Sequence, residues 1–261
     1  MESILVRSLW IASVAGQAAV LFRIWSAADL RFPYAFFGSF LAANLSRSLV
    51  LIFIDYRSPV YTVIWTASEP LLLILQILAV AEVYDRICAA YPGVARHKYR
   101  LLAVTAVVAA AASAFTLVIG IPRMMMWNYF VVMGVKCFVA TSSVVFLLLV
   151  WGVFRHFPVR RGRNLQTHWR LLTIYLGWNA AGLLAMTARP ATAWINMLVL
   201  AGVTLCYGFW TVTLSASGES ARQPSSEAEK QQWTRTQERA SAVLCRITVR
   251  ELLGLVLAVG H

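Results

Sequence analysis

The chain has 261 residues, 60% of them hydrophobic, and a formal net charge of +12. A soluble domain is about half apolar; here the excess is gathered into long runs, which excludes a water-shielded globular core as the main organising principle. In a soluble chain the basic excess would suit a nucleic-acid binder, but these Lys and Arg residues lie mostly between apolar runs, so no nucleic-acid partner is expected.

Runs such as Leu71–Ala81 and Val144–Val153 are apolar all round. A barrel strand would alternate every second residue. Backbone polar groups in lipid must be paired within their own segment, so these runs are expected to be helices. Seven such segments follow in chain order, and the fold class expected is an all-α, polytopic membrane protein with about seven transmembrane helices.

The first segment, 3–22, carries Arg7 and Gln17 and lacks a small-residue cleavage site, so it reads as a span and not as a cleaved signal peptide. The second, 34–55, follows Pro33 and places Asn44 and Arg47 three residues apart on one helix face. The third, 61–83, follows Pro59 and carries Trp65, Glu69 and Gln76 at spacings of four and seven, again one face. Pro70, directly after Glu69, should free the carbonyl of Thr66 and act as a hinge. The third segment ends at Glu82-Val83-Tyr84-Asp85-Arg86, which reads as interfacial charges capping a helix end. The fourth, 101–120, lies between Pro92 and Pro122. The fifth, 126–154, is longer than a straight crossing needs and contains Lys136, Ser142 and Ser143. The sixth, 170–188, carries Trp178 and Asn179; the seventh, 193–215, carries Asn196. Trp25, Trp127, Tyr129, Trp151, Trp169 and Trp194 fall near segment ends, where amphipathic rings favour the membrane interface.

Counting Lys and Arg between segments sets the expected orientation. The first, third and fifth loops hold eleven, the second, fourth and sixth hold three (Arg57, Arg123 and Arg189). By the positive-inside rule the N-terminus is outside and the C-terminus cytoplasmic, in a multi-pass protein of the inner (plasma) membrane. Three parts are expected: a seven-helix domain over 1–216, a polar cytoplasmic linker over 217–237 rich in Ser, Gln and Glu, and a short amphipathic helix over 238–261 that lies on the membrane or docks a partner.

Ionisable groups inside a bilayer are costly and so are functional candidates. Arg47, Glu69 and Lys136 each lie on the order of 12–15 Å from the outer boundary by helix rise. Three charges at one depth on three helices suggest mutual pairing, with Asn179, Asn196, Trp65 and Trp178 lining the same region. Such a set either glues helices together or binds a small molecule or lipid.

Other chemistries lack their residues. His97, His156, His168 and His261 all fall in expected cytoplasmic loops or the tail, so haem and intramembrane zinc have no ligands in the bundle. There is no HExxH, no Walker motif and no GxSxG. Cys88, Cys137, Cys206 and Cys245 form no CxxC and fit reduced thiols. No cofactor or metal is expected. The favoured reading is a non-enzymatic sensor or accessory subunit with membrane lipids, and a protein at its cytoplasmic loops or tail, as partners. The alternatives are a small secondary transporter using Glu69 and a lipid-modifying enzyme using cytoplasmic-side histidines.

Overall fold

The computed structural model of the chain describes residues 2–55, 58–89, 98–116, 127–155, 162–188, 193–215 and 218, with single positions at 231, 234, 235 and 238. The described residues are helical without strands, and a long helix lies on each of the seven expected segments. They are α1 (Glu2–Ser26), α3 (Ala35–Leu51), α4 (Pro59–Ala89), α5 (Lys98–Ser113), α6 (Trp127–Arg155), α7 (Arg163–Ala188) and α8 (Ala193–Thr213), with a single-turn helix α2 (Ala28–Arg31) after α1. The linker over 217–237 and the amphipathic helix over 238–261 fall outside the described residues, apart from the isolated positions.

Four helices are long and apolar enough to cross a membrane: α1 from Ile4, α4, α6 over Val131–Phe154 and α8 from Trp194. Among the described residues the other three are shorter or begin with a polar stretch. The 17 residues of α3 and the 16 of α5 rise only about 24–26 Å, against a hydrocarbon core of about 30 Å. Helix α7 opens with a polar stretch from Arg163 to Arg170, and the uncharged residues 171–188 follow it.

Six helices pack in a closed ring, α1–α3–α4–α6–α7–α8, with α8 returning against α1 and α4 also touching α7. The fifth helix stands outside this ring, packed chiefly on α6 and tied to α4 by the Tyr84 hydroxyl, which donates to the Lys98 carbonyl at 2.6 Å. The interior is aromatic: Trp210, Tyr34, Tyr84, Tyr207, Phe37 and Phe154 are fully buried. The exterior is apolar as well, with Phe22 76% and Val212 80% exposed. Large apolar side chains on both the inside and the outside are what a lipid-facing bundle carries and a water-soluble one avoids.

Several ends differ from those expected. The third segment continues as helix to Ala89, and α7 begins seven residues earlier than 170. Trp169, expected at an interface, is buried in the core at 3% exposure. So is His168, expected in a cytoplasmic loop; it lies on the inner face of α7, 1% exposed. In each case the polar end of a helix continues past its apolar middle, and hydropathy alone locates only the middle.

Small residues set the α7–α8 contact. The Trp178 indole lies against the backbone of Gly202, so closely that a methyl there would collide with it, and its Nε1–H donates to the Leu198 carbonyl at 3.0 Å. Glycine is the residue that permits this approach. At the lower end of the bundle Asn164 receives the chain leaving α8: its Nδ2–H donates to the Ser215 carbonyl at 2.6 Å and its Oδ1 accepts from the Ser215 amide at 3.3 Å. Arg23 of α1 donates from Nε to the Leu214 carbonyl beside it.

Candidate functional site

Glu69 is 2% exposed, on the face of α4 turned into the ring. Both of its oxygens are taken by cations from the neighbouring helices. Arg47 of α3 donates from Nη1 to Oε2 at 2.5 Å, and Lys136 of α6 places Nζ 2.7 Å from Oε1. A carboxylate whose two oxygens face two cationic donors is among the strongest polar contacts available to a helix bundle.

The pairing extends across a fourth helix. Arg47 Nη2–H donates to Asn44 Oδ1 at 2.8 Å, and Asn44 Nδ2–H donates to Gln17 Oε1 of α1 at 3.0 Å. The Lys136 ammonium also sits over the Trp65 ring, 5.2 Å from its centroid. One continuous network therefore runs Gln17–Asn44–Arg47–Glu69–Lys136 through α1, α3, α4 and α6. Formally it carries two positive charges and one negative. The side chains of Arg47 and Lys136 keep 14% and 24% of their surface exposed, against 3% for Glu69. What can be approached from outside the cluster is thus cationic.

Of the sequence candidates, the structure brings together Arg47, Glu69, Lys136 and Trp65. The others make different contacts. Asn179 donates to the Tyr175 carbonyl of its own helix at 2.8 Å, Asn196 is exposed on α8, and Trp178 serves the α7–α8 contact already described. Helix α4 runs unbroken through Pro70, which lies on an exposed side. Ser142 Oγ is buried with no hydrogen-bond partner among the described residues, so it is not paired with Lys136.

The sequence reading missed three members of the region. Gln17 is neutral and sits in an apolar run, where its polarity was itself the available signal. Tyr175 and Tyr207, with hydroxyls 3.3 Å apart, are buried within electrostatic reach of Arg47; aromatic residues in apolar helices carry no such mark.

A second polar centre lies at the other end of α3 and α4. Glu82 accepts from the backbone N–H groups of Phe36 (3.3 Å) and Phe37 (3.1 Å), satisfying donors that the first turn of α3 leaves open. The charges at the end of the third segment do cap a helix, but it is the neighbouring one. Beside this cap, Arg86 lies 4.5 Å from the Tyr34 ring centroid. Tyr34 and Phe37 in turn meet the His168 ring edge-on, at 4.9 and 4.6 Å. His168 Nδ1 accepts the Trp210 indole N–H at 3.1 Å, which fixes the neutral tautomer with its proton on Nε2. This histidine is a packed structural group and is not offered to a cytoplasmic substrate, which removes it from the lipid-modifying-enzyme reading; His97, His156 and His261 lie outside the described residues.

Among the described residues no three His, Cys, Asp or Glu side chains gather as a metal site. Cys88, Cys137 and Cys206 are buried free thiols. No family model, curated protein or solved structure matches the chain.

Proposed function

We propose that this is a multi-pass protein of the inner (plasma) membrane whose seven long helices all cross the bilayer, N-terminus outside, with the bilayer thinning locally around the shorter α3 and α5. We take it to work as a sensor or accessory subunit, with a small molecule or lipid binding at the Arg47–Glu69–Lys136 cluster in the outer half. The observation that carries this reading is the single buried carboxylate shared by two cations on separate helices. A group that engages either cation must compete with Glu69, and so changes how tightly α3, α4 and α6 are held together. A bundle held by such a contact has two arrangements that a ligand can bias.

The route to the opposite face follows from α3 and α4. These helices are joined at two places, by Arg47–Glu69 and by the Glu82 carboxylate on the first turn of α3. The two lie about 20 Å apart along α4 by helix rise. A shift of α4 at Glu69 is transmitted to the Glu82 cap and to the aromatic residues around His168. The positive-inside count supports the orientation.

Native mass spectrometry on protein extracted gently from its own membrane tests the reading. The expected result is a reproducible lipid or small-molecule adduct whose occupancy changes in Glu69→Gln. A co-purifying polypeptide with no adduct would leave the cluster a structural pair in an accessory subunit. A reporter fused after His261 should be active on the cytoplasmic side only. The transport reading is disfavoured because both Glu69 oxygens are engaged by cations, which leaves the carboxylate poorly placed to carry a proton or solute.

A further inference from the structure

We infer that the group bound at this cluster is an oxyanion, a carboxylate or phosphate, held chiefly by Lys136 between α4 and α6. This rests on the binding reading above and narrows its chemistry.

Charge is the first argument. Arg47 and Lys136 share the one carboxylate of Glu69, so the network holds an unmatched positive charge among apolar helices. An uncompensated charge in such surroundings is expensive, and a bound anion relieves it. The second argument is access. Glu69 is sealed at 3% side-chain exposure while Lys136 keeps 24%, so an incoming group meets a cation first; a cationic ligand would be repelled there.

Donor count is the third. An ammonium has three N–H donors. Among the described residues one is directed to Glu69 Oε1, and the Trp65 ring takes another side of the group. Further along the same face of α4, seven residues after Glu69, Gln76 Nε2 is buried with no hydrogen-bond partner among the described residues. It lies about 10 Å from Glu69 along the helix. A second donor without a partner, in line with the cationic site, suits a ligand that carries acceptor oxygens beyond its charged end, and offers nothing to a purely apolar one.

The test uses the full chain in nanodiscs of neutral phosphatidylcholine. Thermal stability and native-mass adducts are followed as acetate, inorganic phosphate, oleate or phosphatidic acid is supplied. Oxyanions should stabilise the protein, and Lys136→Met should abolish the effect. Lys136→Met leaves Glu69 and Arg47 as a matched pair and is the milder change to the bundle; Glu69→Gln, measured on the fraction that still elutes as folded protein, supplies a second test of opposite sign. It raises the formal charge of the cluster by one, so oxyanion affinity should rise on the order of tenfold, whereas a site for a cation or proton would weaken. Response to the lipid anions alone identifies a lipid headgroup as the source; response to phosphate or acetate identifies a soluble one. If a neutral amphiphile binds in a Glu69-dependent way and no oxyanion does, the oxyanion inference falls and the binding reading stands. If nothing in the set binds and native extracts carry no adduct, both fall. Oxyanion binding unchanged in folded Lys136→Met, or weakened in Glu69→Gln, also overturns the inference.

Discussion

Replacing Glu69 with Gln keeps the shape of the side chain and removes its charge, leaving Arg47 and Lys136 facing each other across a neutral amide. Two interhelical contacts of 2.5 and 2.7 Å are weakened. Polar contacts between membrane helices are each worth about 0.6–1.7 kcal/mol. The two cations, on the order of 5–6 Å apart on opposite oxygens, then repel by up to about 3 kcal/mol at an effective dielectric of about 20. A loss of about 3–5 kcal/mol is expected for Glu69→Gln. Lys136→Met alone should lose only about 1–2 kcal/mol, because Glu69 and Arg47 stay as a matched pair. The double variant Glu69→Gln/Lys136→Met should lose about 2 kcal/mol less than the two single losses added together, since the repulsion that dominates Glu69→Gln is then gone. Thermal unfolding of the four proteins in one detergent, read by the fraction surviving size-exclusion chromatography, measures the cycle. Single losses that add to within about 0.5 kcal/mol would show that Glu69 and Lys136 are not coupled, and the geometry of the cluster would be wrong.

Three further expectations come from the same structure. Glu82→Ala should cost about 0.5–2 kcal/mol by uncapping α3, with Glu82→Gln retaining part of that as a neutral acceptor; equal thermal losses in the two would point to charge, not capping, as the role of Glu82. His168→Phe should cost about 1–3 kcal/mol by leaving the Trp210 indole N–H buried without an acceptor, and adding Trp210→Phe should return part of it. Unfolding curves in which the second change only adds to the first would contradict the Trp210–His168 bond. Gly202→Ala should cost about 1–3 kcal/mol through collision with Trp178, while Gly208→Ala on the same helix, with open space around its Cα, should change stability by less than about 0.5 kcal/mol. Similar melting temperatures for the two variants would refute the close approach.

Much of the fold was legible because lipid leaves few choices: long apolar runs form helices, and all seven expected segments contain one. Their ends were not legible, since Asp85, Arg163 and Asn164 are polar residues that continue a helix beyond its apolar stretch, and the satisfaction of backbone groups, not hydropathy, decides where a helix stops. Arg47, Glu69 and Lys136 could be found because charges are rare in such runs and helix rise gives their depth. Helix rise gives height but not azimuth. Asn196 was expected at the depth of the cluster and is exposed on α8, while Gln17 reaches the network through Asn44 from a helix that carried no charge at that height. The burial of His168 depended on how α7 rotates against Tyr34, Phe37 and Trp210, which are distant in sequence.

The order of the helices along the chain gives the cluster a history during synthesis. Gln17, Asn44, Arg47 and Glu69 all lie on α1, α3 and α4, which leave the ribosome first and pack on one another in the order they emerge. That piece is electrically balanced, one arginine against one glutamate. Lys136 follows more than sixty residues later, after α5, which ends outside the ring. The first three long helices can therefore wait in the bilayer as a matched unit, and the surplus positive charge enters only when α6 takes its place against α4. The arrival of that helix is the step at which the site proposed for an oxyanion is first assembled.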